Sequence, residues 1–598
     1  MTTETRPTEP HDLDDRALRD RAVRAALGQA PFDTLLRGGT VVDMATGELR
    51  PADIGLVGPL VASLHPHGAR SDAATVLDIT GRFVAPGLID THLHIESSMV
   101  TPRRYAETVV PQGTTTIAWD PHEVGNVVGL EGVRWAIAAS RDLPLRVLVL
   151  APSCVPSAPG LEMAGADFRG PEMRQMLSWP EIAGVAEVMN MRGVIARDPL
   201  MTDIVQAGLE SGKLVCGHAR ELEGAALQAF AAAGIASDHE IVSGEDLVAK
   251  LRAGFTVELR GSHDYVLPGA VAALKSLPQM PQTLTICTDD VFPDDLVEKG
   301  GVIDVLRRLV RYGLPAIDAL RAATLNAAMR LGRGDLGLVA PGRRADLIVL
   351  SDLDGLAVEH VFASGRHVAE AAQMREAPRP DPSQGPRGTV KVAPLTAADF
   401  TLRIADPHDG QVRLRTVAKP RFTQWGEARV AVRDGIVELP AGTILMAMVH
   451  RHGRRPAVPE LAILEEWGTW QGALATTVSH DSHNLSVFGR DTADMAVAAN
   501  AVIAAGGGMS VAMGGELLSV LPLPICGLLS DAPTSEVAEG FRALKAAADR
   551  IADWQPPLRV FKSVLGASLA CNLGPHLTDL GLTDGGTGEI RPLVVAAE

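Results

Sequence analysis

Cysteine is scarce in this chain of 598 residues, which holds only Cys154, Cys216, Cys287, Cys526 and Cys571. Thiols that are odd in number, far apart and never in a CxxC pair argue against a disulfide framework and fit a reducing compartment. Aromatic residues are scarce too, at 4%, leaving little for the stacking platforms that grip single-stranded nucleic acid. Lysine and arginine, 55 in all, fall short of the 72 acidic residues, so phosphate backbones are repelled and no nucleic-acid partner is expected. Long apolar runs free of breakers are also missing. Ala496 to Gly515 carries no charge, but Gly506 to Gly508, Gly514 and Gly515 interrupt it and Pro522 and Pro524 follow. It reads as a buried core segment and not as a membrane span. The opening "MTTETRPTEPHDLDDRALRDRAVRAAL" has charges where a signal peptide needs an apolar stretch. Residues 1–33 are expected to be an N-terminal helical segment, and the protein to be cytoplasmic with no membrane partner.

The length implies several folding units. From Thr34, short β-branched runs broken by Gly, Pro and Asp suggest an antiparallel sheet, and a similar pattern returns from Gly337. Segments 34–82 and 337–375 are therefore expected to form one small β-sandwich domain. Between them lie eight apolar runs, "FVAPGLID", "TTTIAWD", "LRVLVLAPS", "IAGVAEV", "KLVCGHA", "IASDHE", "FTVELRG" and "LTICTDD", separated by stretches of helical periodicity. That alternation makes the fold class α/β and predicts a (β/α)8 barrel over 83–336, whose chemistry would sit at the strand C-terminal ends. Residues 376–398 are rich in proline and read as a linker. Residues 399–598 begin anew with strand-like runs and are expected to form a separate α+β domain.

The polar residues of the eight runs collect at their ends. In "GLIDTHLHIESSM" the alternation of a strand puts His92 and His94 on one face, so that the two rings can converge on one point. The other ends supply Asp120, His122, Glu123, Glu187, His218, His239, Asp289 and Asp290. One histidine at a strand end is commonly structural, and one carboxylate there is commonly a helix cap. Convergence changes this, because His92, His94, Glu187, His218, His239 and Asp289 would meet at one mouth as two incomplete coordination shells bridged by Glu187. The nitrogen and oxygen donors, without thiolate, suit a binuclear divalent centre of Mn(II), Fe(II) or Zn(II) and do not choose among them; Mn(II) is the metal expected.

The motifs "PGLIDTHLHIESSMVTP", "DPHEVGN", "GVAEVMNMRGVI", "GHA", "SDHE" and "TDD", in that order, resemble the bacterial adenine deaminases of the amidohydrolase superfamily. "SHDSHNLSVFG" and "LPLPICGLLSD" resemble the C-terminal domain of the same enzymes. The resemblance implies that His92, His94, Glu187 and Asp289 hold one metal and that Glu187, His218 and His239 hold the other. It makes Asp289 the proton acceptor, with Glu187 or His122 as proton donor. Asp290, Asp120, Glu123, Arg260, Ser262 and Glu96 are the expected substrate contacts, while the cluster of Asp120, His122 and Glu123 is equally open to an additional metal, a general acid or support of the metal-bound histidines. Two places depart from the family pattern. Leu259-Arg260-Gly261-Ser262 stands where the family has "REGS", and "GHARELEG" lacks the usual proline.

The implied activity is hydrolysis of adenine to hypoxanthine and ammonia in purine salvage, by a homodimer. A first rival keeps the metals but cleaves a cyclic amide or an N-acyl group. A second rival is a catalytically silent barrel that serves as an assembly protein. "SHDSHNL", Ser479 to Leu485, is read as a hydrogen-bonded turn in preference to a lid.

Overall fold

At Gly87 the chain passes from one kind of sheet to another. The structure, a computed structural model, describes residues 11–379, 384–404, 410–420, 422–553 and 560–597. The run "FVAPGLID", expected as one strand, is divided there. Phe83–Pro86 pairs antiparallel with Leu347–Leu350, and the residues after Gly87 enter a parallel sheet. The Gly87 amide donates to the Asp346 carbonyl, and a Cβ at this position would lie 2.2 Å from Thr115 Oγ1. Only glycine lets the two sheets approach so closely.

The parallel strands are β1 (Leu88–Leu93), β2 (Thr114–Trp119), β3 (Arg146–Ala151), β4 (Ile182–Val188), β5 (Leu214–Gly217), β6 (Ser237–Asp238), β7 (Thr256–Arg260) and β8 (Leu284–Cys287). Strands β1 to β5 form one sheet, and β6 to β8 form a second. Backbone bonds reach across both seams, from Ala236 N–H to Val215 O and from Asp289 N–H to His92 O, each 3.1 Å. Every residue of β1, β2 and β8 is buried, as expected of strands covered on both faces. Helices run between them. Val302–Arg311 buries Val302, Ile303, Val305, Leu306 and Leu309 and carries Arg308 and Arg311 in its last turn, where cations suit the helix dipole.

A four-stranded sheet and a seven-stranded sheet are built from residues 32–86 and 347–374. Leu36, Ile54, Val84, Leu347 and Phe362 share the core between them. The helix Arg16–Ala26 lies on the N-terminal side, capped by Asp15. Past residue 383 the chain stays irregular up to Thr396, yet it is packed. Val392 and Leu395 join an apolar cluster, and Asn500 both donates to and accepts from the Leu395 backbone. A large, mainly antiparallel sheet follows. The uncharged segment 496–515 becomes the end of the helix Thr492–Ala504, which buries Ala496, Ala498, Ala499 and Val502 on one side, and the largely buried strand Gly508–Met513, with Gly514 and Gly515 exposed in the turn beyond. No helix of the described residues is long and apolar enough to cross a membrane.

This last region lies against the parallel sheets. Ser530 N–H donates to Met99 O at 2.9 Å, Arg103 pairs with Asp531 at 3.0 Å, and Phe292 meets Phe541 at 5.3 Å between ring centroids. One glycine tests how tightly the parallel sheet is built. A Cβ at Gly184 in β4 would lie 2.5 Å from the Leu214 carbonyl oxygen of β5, and backbone cannot give way as a flexible side chain does. Gly184→Ala is expected to cost about 1–3 kcal/mol, read as a lower thermal midpoint. An unchanged midpoint would show that the β4–β5 pair has room to spare.

Candidate metal centre

A carboxylate buried without compensation costs several kcal/mol, and Glu187 is only 3% exposed. The fold brings imidazoles to it from several strand ends. Glu187 Oε1 lies 3.7 Å from His92 Nε2, 3.2 Å from His94 Nε2 and 3.8 Å from His122 Nδ1. Its other oxygen lies 2.6 Å from His218 Nδ1 and 3.3 Å from His239 Nε2. Asp289, just past β8, closes the ring with Oδ1 at 3.6 Å from His92 Nε2 and 3.4 Å from His94 Nε2. The backbone around Asp289 is held to the end of β1, since His94 N–H donates to its carbonyl.

These residues fit divalent cations. Neither ring nitrogen of His92 has a hydrogen-bond partner although the side chain is buried, and His239 Nδ1 has none either. His94 Nδ1 faces the Asp120 carbonyl at 3.1 Å, which sets the tautomer that leaves Nε2 as a donor to metal. Donor atoms of His92, Glu187 and His239, and of His92, His94 and Asp289, lie within 4.8 Å of one another. Nitrogen and carboxylate donors of this kind take a borderline divalent metal ion.

Around this ring stands a second layer of charge. Asp289 Oδ2 meets Arg260 at 2.8 Å and accepts from Ser262 Oγ at 3.2 Å. Burial opposes its charge, but the Arg260 guanidinium and the histidines hold the carboxyl well below its usual range. Arg260 is held in turn by Glu240 at 2.6 Å, which also accepts from Arg220 at 2.7 Å. Asp290 accepts from Ser97 Oγ at 2.5 Å. It also lines a cavity of about 730 Å³, with Ser262, Thr288, Phe292 and Phe541 on its walls. Asp120 accepts from His122 Nδ1 at 3.1 Å. Burial lowers the His122 pKa, but the Asp120 carboxylate, by charge and hydrogen bond, and the Asp481 carboxylate together raise the ring to about 10.

Glu96 is placed differently from the expected substrate contacts. It is fully buried, and its carboxylate accepts from Trp119 Nε1 at 2.7 Å and from the Val124 amide at 3.3 Å. Burial, more than the nearby Glu123 charge, pushes its pKa up to about 8. Glu123 faces the C-terminal region, with His480 Nδ1 at 3.3 Å and His483 Nε2 at 3.9 Å. Within "SHDSHNL", Ser479 N–H donates to the His483 ring and Asp481 Oδ1 lies 3.9 Å from His122 Nε2. The turn therefore reaches the site from another part of the chain.

Glu240 escaped sequence reasoning, though it directly follows His239 in "SDHE". A carboxylate beside a candidate ligand was the available signal.

The site sits where the amidohydrolase family model matches the chain, residues 83–368, and a model of the adenine deaminase C-terminal domain matches residues 420–589. Parallel strands ending in a ring of histidines and carboxylates, within the residues that the amidohydrolase model matches, mark this part of the chain as an amidohydrolase domain. The chain is 60% identical over 582 residues to adenine deaminase 2 of Rhizobium meliloti (strain 1021), covering 97% of this chain and 98% of that protein. Adenine deaminase of Klebsiella pneumoniae (strain 342) is 57% identical over 97% of each chain. That of Methylobacterium nodulans is 39% identical over 94% of this chain and 98% of its own. The chain belongs to the adenine deaminase family.

The ends of β5 and β6 are tied through Asp238, which a buried ion pair holds in place. Lys250 Nζ lies 2.9 Å from Asp238 Oδ2, while Asp238 Oδ1 accepts the Ala219 amide at 2.5 Å. This joins the residue before His239 to the residue after His218. Lys250→Met leaves Asp238 as an unpaired buried charge, expected to cost about 3–5 kcal/mol and to lower bound metal. Unchanged thermal midpoint and metal content would show that Asp238 needs no counter-charge.

Proposed function

We propose that this chain hydrolyses adenine to hypoxanthine and ammonia. The observation that carries the reading is the Glu187 carboxylate within 3.8 Å of ring nitrogens from five histidines, in a chain of the adenine deaminase family. The relatives bear that activity in their names over nearly their whole length. On this reading β1 to β8 close into a full (β/α)8 barrel, supported by the backbone bonds across both seams. The sandwich of segments 34–82 and 337–375 flanks it, and the α+β domain from residue 399 covers its mouth.

His92, His94, Glu187 and Asp289 would hold one ion, and Glu187, His218 and His239 the other, with Mn(II) as the native metal and Fe(II) or Zn(II) as substitutes. When bound, such a pair supplies Lewis acidity and lowers the pKa of water toward neutrality. The chain's own residues do the rest. Asp289, kept ionised by Arg260, accepts the proton of the attacking water. Glu187 has both oxygens turned to imidazoles, which hold it well below its usual range against the effect of burial, so it has no proton to give. His122, charged by its pairing with Asp120, is the acid that protonates the purine ring nitrogen beside C6. Water oxygen adds to C6, the proton held by Asp289 passes to the amino nitrogen, the C6–N bond breaks to release ammonia, and the C6 hydroxyl proton returns to His122, which restores both groups. Asp290, Ser262 and Arg260 line the approach of the base. The enzyme acts as a cytoplasmic homodimer in purine salvage.

The test is turnover itself. After loading the metal-free protein with Mn(II), adenine is expected to release one ammonia per hypoxanthine formed, with adenosine far slower. Equal rates on the two would overturn a site built for the free base, and ammonia-free cleavage of a cyclic amide would favour the other amidohydrolase reading.

The adjacent carboxylates are assigned different work. Asp289→Asn removes the proton acceptor and is expected to lower kcat by roughly 10²–10⁴. Asp290→Asn should raise KM as well as lower kcat while metal content stays whole. Metal loss in the second variant, with kcat intact in the first, would exchange the two roles.

A further inference from the structure

Glu123 poses a problem that the adenine site does not solve. It is 1% exposed, neither carboxylate oxygen accepts a hydrogen bond, and no lysine or arginine pairs with it among the described residues. Its pKa is raised by burial, against the pull of His480, His94 and His122, and Asp290 adds a like charge nearby. What faces it comes from the C-terminal region. His480 Nδ1 lies 3.3 Å from Oε1, and His483 Nε2 lies 3.9 Å from Oε2. His483 is fully buried, and its Nε2 has no hydrogen-bond partner. The donor atoms of all three lie within 4.8 Å of one another.

We propose that Glu123, His480 and His483 form a further divalent cation site, separate from the ring around Glu187, that clamps the turn 479–484 onto the helix His122–Val128. A carboxylate and two imidazoles are a ligand set for Zn(II), Mn(II) or Fe(II), with positions left for water. The 3.9 Å spacing of His483 Nε2 from the carboxylate is too long for a hydrogen bond and suits two ligands of one ion. The cation would neutralise the buried carboxylate, a need that one ion pair with His480 leaves half met. It also makes a demand on His483. The Ser479 amide donates to its Nδ1 at 3.2 Å, and an ion on Nε2 requires Nδ1 to carry the ring proton. That contact must therefore open when the ion binds. Asp481, whose Oδ1 is 3.6 Å from His480 Nδ1 and 3.9 Å from His122 Nε2, stands between this cluster and the principal ring.

The experiment uses the full chain, freed of metal and reloaded with Mn(II) alone. Bound manganese is counted, and its positions are found by anomalous diffraction at the manganese edge. The expected result is an anomalous peak among Glu123, His480 and His483 and a Ser479–His483 contact lengthened beyond hydrogen bonding. His480→Ala and His483→Asn should each remove that peak and one equivalent of manganese, while peaks around Glu187 persist. A wild-type map with peaks around Glu187 and none at Glu123 overturns the proposal and leaves His480 and Glu123 as a plain ion pair. Because the wild-type map decides, poor folding of a variant does not obscure the answer. Because the peaks are located, failure of the principal centre and failure of this one are told apart.

Discussion

The buried charge of Glu187 is the constraint on which the rest of the site depends. A lone carboxylate at that depth would be strongly destabilising, and the fold answers by bringing imidazoles from β1, β5 and β6, and from the turn after β2, to within a few ångströms of it. None of these strand ends could be moved by one residue without turning its histidine to the opposite face. The register of the parallel sheets and the chemistry of the mouth are thus one requirement. The backbone bonds at the seams hold the same register where the two sheets meet.

Charge is then balanced outward in layers. Asp289 carries its negative charge because Arg260 sits against it, and Arg260 stays in place because Glu240 holds its other side, with Arg220 beyond. Asp238 and Lys250 do the same beneath β5 and β6. Alternating signs of this kind let several ionised groups persist in a region with little water. Such order has a cost in specificity as well as a benefit, since removing any one member leaves its neighbour uncompensated.

The C-terminal region is part of this arrangement. Phe541 helps to wall the cavity beside Asp290, Ser530 and Asp531 bind the residues after β1, and His480, Asp481 and His483 face the helix that follows β2. On the proposed function, it closes the site against water and brings in polar groups that the strand ends do not supply.

Much of this was legible in the sequence. Apolar runs marked the places of the eight parallel strands, most plainly β1, β2 and β8, which are buried along their whole length, whereas β6 is only Ser237–Asp238 and β7 carries Glu258 and Arg260. The polar ends of the runs named His92, His94, Glu187, His218, His239 and Asp289, which the structure brings together. Local pattern suffices for such features, since alternation and burial act over a few residues. What local pattern could not decide was partnership over distance. Nothing in "FVAPGLID" shows that Gly87 divides it, because the reason is Thr115 on another strand. That Glu96 accepts from Trp119 and the Val124 amide is visible only in the fold. Glu240 acquires a purpose only beside Arg260 and Arg220, and "SHDSHNL" only against Glu123. Each of these depends on the sign and distance of a group far along the chain, and electrostatic balance in a buried site is a property of the packed whole.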